Sequence, residues 1–476
     1  MDAVDAKHLL RRTEFVARPA RVTELAALTR EAAVDNVLAV RTDPGSVEFV
    51  EAADWQRGME LMHFWIDRMV ASPRPLQERL ALFWHGHFVT SLDKVGDAHL
   101  MRERVDLFRR DGLGNVRDLA ITMSTQVSML RYLDNNQNQR TSPNQNFGRE
   151  MLELFLLGVG NYTEADVEAN TAAWTGHTDN WETGAYEFRG GDPARGPDWR
   201  EHWGNWHDYR PKTFLGRTIN SDASSPTAGR DHGPEAIRTV LGNGVVPNGA
   251  ANVANRGRAS RLVVAEFLSR KLWTFFAGTP IPAAVLNALR DVLVTNDFAV
   301  RPWLRTLLLR NEFYATDVKQ GLVRSPVEYI VALLAATGRT SAQATPSWLM
   351  EGMGQSLLYP PNVSGWKHNG YYISASTFDA RVQAARMFMW NTLDGYWEPG
   401  GAVQLAAGSI PRADIEASGG DPVARRAILD QAVQLMQIEI GTTTRTALHR
   451  FADGAAWWEL ADALALIYLC PEMHVA

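Results

Sequence analysis

Three sets of residues in this chain have the types and spacing to do chemistry. The first is the carboxylate pair Glu150 and Glu153, set at i and i+3 in Asn146-Phe-Gly-Arg-Glu-Met-Leu-Glu-Leu-Phe-Leu-Leu-Gly158. On a helix both project from one face, with Asn146 one turn earlier. The other positions are almost all apolar, which predicts burial. A buried carboxylate needs a cation, a metal or a proton. The second set is Trp84-His85-Gly86-His87-Phe88. Leu80, Phe83, Trp84, His87 and Phe88 form a core-facing stripe, and His85 lies about 200° from His87 and off that stripe. Imidazole with carboxylates is a first shell for iron, copper, manganese or zinc, so His87, Glu150 and Glu153 are the candidate metal ligands. The competing assignments are a hydrogen-bonded core histidine and an Arg149–Glu153 pair at i+4.

The third set is Trp206-His-Asp-Tyr-Arg-Pro-Lys212, where His207, Asp208 and Lys212 fall together in a loop. His207 is the loop histidine chosen to complete the metal shell. With Asp208 and Lys212 it also supplies candidate acid, base and anion-holding groups. Trp174, His177, Trp206, Asn362 and Trp366 are the candidate pocket residues, although aromatic rings in a long loop can equally pin it to the body. A Glu60-x-x-His63 pair has the spacing of di-iron helical bundles but no second copy, so Glu60 is read as a surface or packing residue and His63 as core.

These side chains need helices to hold them. Residues 1 to about 135 read as successive helices, with Pro73 and Pro75 at the entry to the histidine helix. Gly158 and Gly160 end the glutamate helix, and Thr163 with Asp166 caps the next, which runs to Ala173. From Trp174 to about Asn255 the chain is rich in Gly, Asp, Asn, Thr and Trp and reads as loops with one hairpin. So long an insert is usually functional or disordered, and its aromatics, Trp181, Trp199 and Trp203 among them, argue for order. Helices resume over Arg261–Phe276, Ala283–Leu293, Pro302–Arg310 and Val327–Ala336. The loop Leu358–Trp366 interrupts them, and more follow from Thr377. The expected fold is mainly α: a multi-helix bundle with one irregular aromatic insert, divided at 1–173, 174–258 and 259–476.

The 476 residues are 45% hydrophobic and 21% charged, enough for a large core. A net charge of -6 with dispersed cations makes nucleic acid an unsuitable partner. The single cysteine, Cys470, excludes an intramolecular disulfide and reads as a small apolar residue. With no leader-like N-terminus and no membrane-length apolar run, the default location is the cytoplasm. Phosphate-binding loops, dinucleotide fingerprints, serine-hydrolase elbows and His-Glu-x-x-His motifs are missing.

Several segments resemble a bacterial family known as domain of unknown function 1800. They are His8-Leu-Leu-Arg-Arg12, Glu78-Arg-Leu-Ala-Leu-Phe-Trp-His-Gly-His-Phe88, Asn146–Phe155, Tyr162-Thr-Glu-Ala-Asp-Val167, Pro211-Lys-Thr-Phe-Leu-Gly216, Arg270-Lys-Leu-Trp273, Ser325-Pro-Val-Glu328 and Pro360-Pro-Asn-Val-Ser-Gly-Trp366. The resemblance implies a shared pocket around His87, Glu150, Glu153, His207 and Lys212 without naming a reaction. It also implies a partner resembling exported phosphatase-like or sulfatase-like enzymes, and hence export alongside a partner that carries the signal. His63, where the family pattern leads one to expect an aromatic, and the residues after Trp366 depart from that pattern.

Two functions follow as expectations. One is a metal-dependent oxidative or hydrolytic enzyme for a small organic or peptide substrate, with Trp174, Trp206 and Trp366 as walls and Lys212 holding an anionic group. The other is a non-catalytic helical scaffold for a partner protein or an anionic ligand. There the glutamates would pair with Arg149, Arg270 or Lys271, and His87 would donate a hydrogen bond in the core.

Overall fold

Side-chain caps fix where several helices begin. Thr163 and Asp166 exchange hydrogen bonds with each other's backbone N–H and open the helix Glu164–Ala173. Ser325 and Glu328 do the same for Pro326–Thr337. Each pair satisfies donors that a helix start leaves orphaned. The structure, a computed structural model, describes residues 1–40, 44–180, 182–190, 206–219, 228–344 and 347–476. Within these the fold is mainly α, with three short antiparallel hairpins: His177–Asp179 with Tyr186–Phe188, Lys212–Phe214 with Arg217–Ile219, and Ala402–Leu405 with Gly408–Pro411. Trp181, Trp199 and Trp203 lie outside the described residues.

The insert is more regular than its composition predicts. It carries two of the hairpins and a helix, His232–Val240, whose Ala236, Ile237 and Val240 are fully buried. Nine residues interrupted by Gly233 and Pro234 are too short a stretch to show a clear helical period. Trp174 is fully buried against Phe147 and His177, their ring centroids 5.1 and 4.9 Å away, so it anchors the insert to the core.

One continuous apolar core takes in residues from Ala6 to Met473. The histidine helix, Pro75–His87, is wrapped on every side, and its neighbours include Ala3–Glu14, Asp54–Ala71 and Ala98–Asp111. His85, expected off the core-facing stripe, is therefore fully buried too, beside Trp65 and Trp366. His63, expected in the core, is half-buried at the surface of its helix, its Nδ1 3.0 Å from Ser341 Oγ.

Two buried ion pairs tie the histidine helix to its neighbours. Arg109, on Ala98–Asp111, grips Glu78 through Nε at 2.8 Å and Nη2 at 3.0 Å. Arg79 donates to Glu328, the capping residue of Pro326–Thr337. Cys470 is buried near the C-terminus, and burial pushes its thiol up to about 12. No helix among the described residues is long and apolar enough to cross a membrane.

Removing one partner of a buried pair strands the other's charge. Glu78→Ala should lose roughly 3–5 kcal/mol of stability, read as the shift in urea unfolding.

Candidate functional site

Periodicity builds the site. The histidine helix turns Arg79, Phe83 and His87, spaced by four, toward a cavity of about 690 Å³. The helix Ser260–Ala277, here the lysine helix, presents Phe267, Arg270, Lys271, Thr274 and Phe275 to the same space, at i, i+3, i+4, i+7 and i+8. Ser325 and Glu328 supply a third side, and residues 361–372 a fourth. The size lies within the range of small-molecule pockets.

The fourth wall is held by specific contacts. Asn362 Oδ1 accepts from Ser364 N at 2.9 Å, which shapes the turn. Asn369 donates to the carbonyls of Gly278 and Gly321 and accepts from Val323 N, fastening the loop to the end of the lysine helix and to the stretch 321–323. Gly365 has φ +80°, and a Cβ there would lie 2.4 Å from the Gly86 carbonyl oxygen. Only glycine lets the loop come so close to the histidine helix. Trp366 follows and packs on His85.

Where the histidine and lysine helices meet the glutamate helix, its last turn widens. Asn146–Glu150 is α-helical and Met151–Leu156 is π-helical, with Leu157 N bonding back to Leu152 O. Beyond that turn the carbonyls of Leu154 and Phe155 have no amide to meet. Lys271 Nζ donates to Leu154 O at 2.9 Å, and His87 Nε2 donates to Phe155 O at 3.0 Å. That bond places the His87 proton on Nε2 and leaves Nδ1 as an acceptor, 3.1 Å from Lys271 Nζ. Burial, then the neighbouring ammonium, holds His87 well below its ordinary pKa, and burial lowers Lys271 to about 8.

The carboxylates face elsewhere. Glu150 and Glu153 are half-buried, with Glu150 Oε2 shielded and unpartnered among the described residues, because the fully buried side of their helix belongs to Phe147, Met151, Leu152 and Phe155. Glu153 accepts from the Tyr162 hydroxyl at 2.7 Å, and Arg149 pairs with Glu164 rather than with Glu153. Burial, then Glu153, raises Glu150 above its ordinary pKa. His87 meets this helix at a backbone carbonyl through Nε2, and its Nδ1 is taken by Lys271 of the lysine helix. Among the described residues no group of three or more His, Cys, Asp or Glu could hold a metal ion. The expected shell of His87, Glu150, Glu153 and His207 is not assembled.

The insert does bring its own candidates together, with a different result. His207 Nδ1 donates to Thr175 O at 2.7 Å, and its Nε2 is 2.8 Å from Nδ1 of His232, a residue the sequence did not single out. Lys212 donates to the carbonyls of Asp208 and Arg210, and burial lowers it to about 8. Asp208 pairs with Arg210, and His177 Nδ1 is 3.0 Å from the Tyr186 hydroxyl. These groups clasp the insert. Trp174, His177, Trp206, His207, Asp208 and Lys212 do not line the cavity, whereas His87, Asn362 and Trp366 do.

A family model described as Protein of unknown function (DUF1800) matches residues 8–475. The chain belongs to this family. No curated protein and no solved structure matches it.

In this family member the cavity is cationic. Arg79, Arg270, Lys271 and Lys367 line it against a single carboxylate, Glu328, which Arg79 already engages. Burial pushes Glu328 up, but Arg79 and Ser325 N–H outweigh it and leave the carboxyl below its ordinary value. His368 lines the same wall with its side chain exposed, and desolvation by the protein around it lowers its pKa. Phe83, Phe267, Phe275 and Trp366 supply apolar wall. Sequence alone missed Arg79 and Lys367. Their four- and five-residue steps to Phe83 and Tyr372 were the available signal, but it carries little weight until the facing helix is known.

Gly365→Ala should lose about 1–2 kcal/mol to the left-handed backbone alone, and more to the contact with Gly86. An unfolding midpoint equal to wild type would contradict the close docking of this loop. The buried histidines set an acid limit. Burial lowers His85 and His177 to about 3 from 6.5, so between those values the unfolded chain binds more protons. Stability should be fully present above pH 6.5 and fall below it, with a limiting slope of roughly 1.4 kcal/mol per pH unit for each group, as followed by denaturant midpoints at stepped pH.

Proposed function

We propose that this chain binds a small organic anion, or the carboxylate end of a peptide, in the cavity between the histidine helix, the lysine helix and residues 361–372. The observation that carries the proposal is the charge balance of the wall: Arg270 and Lys367 reach the space with no carboxylate engaged, beside a row of aromatic rings. A guanidinium and an ammonium without counter-charges among the described residues, on the wall of an open recess of about 690 Å³, favour an anionic ligand. The rings favour a ligand with a flat apolar body. Of the two functions expected from sequence, the supporting geometry is that of anion binding. A metal-dependent route has no ligand shell among the described residues to start from.

Calorimetric titration with terephthalate, an aromatic dicarboxylate, should give saturable binding, and benzylamine should give none. Arg270→Gln and Lys367→Gln should each weaken terephthalate by about tenfold or more, as a hydrogen bond to a charged group worth roughly 1.5–3 kcal/mol requires. Absence of binding, or wild-type affinity in both variants, would overturn the proposal.

A further inference from the structure

We propose that Lys271 is a carbonyl-reactive lysine, whose amine condenses with an aldehyde or 2-oxo acid seated in the cavity to give an imine. This inference rests on the anion site described above and adds a reaction to it. Geometry comes first. Lys271 lines the cavity, and its Nζ donates to Leu154 O and His87 Nδ1, both parts of the protein. An amine has two hydrogens, and these two acceptors use both. The lone pair is left in a remaining tetrahedral direction, and no protein donor claims it among the described residues. Arg270, the preceding residue, lines the same wall and would hold the carboxylate of such a substrate.

The surroundings favour the neutral amine. Among the described residues no carboxylate offsets the ammonium, and the Phe267 ring lies 4.8 Å from Nζ. Burial is the one cause that lowers Lys271 to about 8, so a working fraction is unprotonated near neutrality. Lys212 is equally depressed, but its Nζ is turned to the backbone of its own loop and does not line the cavity. It is an internal control.

The condensation balances without a redox partner. The Nζ lone pair attacks the carbonyl carbon as the C=O π pair moves to oxygen, and a proton passes from nitrogen to that oxygen. The second nitrogen proton then passes to the carbinolamine hydroxyl, which leaves as water as the nitrogen lone pair closes the C=N bond. His87 Nδ1 is placed to relay the proton, and its low basicity keeps it from resting as a cation.

The test uses the full chain with 4-formylbenzoate and sodium cyanoborohydride, which converts the imine to a stable secondary amine for peptide mapping. One adduct is expected, at Lys271, forming roughly tenfold faster than at any solvated lysine. It should be blocked by terephthalate, formed more readily as pH rises toward about 8, and absent in Lys271→Arg. Wild-type mapping decides the matter even should that variant not fold. Terephthalate binding without a Lys271 adduct overturns the imine and leaves the anion site standing. Labelling spread over exposed lysines, with no terephthalate binding, overturns both.

Discussion

A helix with no face toward water must have each polar side chain answered by protein, and Pro75–His87 is such a helix. Gln77 donates to Arg109 O, Glu78 takes the Arg109 guanidinium, Arg79 takes Glu328, and Trp84 donates to Gly112 O. His87 finishes the row on Phe155 O and Lys271. The answers come from Ala98–Asp111 with its cap Gly112, from Pro326–Thr337, from the glutamate helix and from the lysine helix, so this row orients the helices around it. The cavity walls are the same helices seen from the other side. His85 is the exception: fully buried, with neither ring nitrogen partnered among the described residues.

The widened turn of the glutamate helix follows from the same constraint. A π turn that ends against Gly158, at φ +81°, leaves two carbonyls aimed at the histidine and lysine helices. The helix dipole adds partial negative charge at that end, which suits the N–H donors of Lys271 and His87. Lys271 and His87 are therefore held at the cavity wall for reasons of backbone bonding, before any ligand is considered. Structural need and chemical capability share the same atoms.

Much of the helical frame was legible. The Thr163–Asp166 cap, the stop at Gly158 and the span of the lysine helix within a residue of Arg261–Phe276 follow from local side-chain and backbone rules. The site was less so. Glu150 and Glu153 sit among apolar neighbours, but a helix rotated so that Phe147, Met151 and Phe155 face inward leaves them half in water. Sequence composition counts neighbours and does not give that rotation. His87 was correctly placed in the core, and its hydrogen bond to a carbonyl matches the scaffold expectation. Asn362 and Trp366 reach the cavity as pocket residues, whereas Trp174 serves the core. The cations that define the cavity were hard to choose, because Arg79, Arg270 and Lys367 resemble any surface cation until three helices and a loop converge.

Cys470 gives the molecule a built-in reporter. Its thiol is buried and held protonated, so maleimides and disulfide reagents should ignore it while the C-terminal helices stay packed. A cysteine placed at the cavity rim could then carry a dye or spin probe without background, and delayed modification of Cys470 would time the opening of the surrounding core.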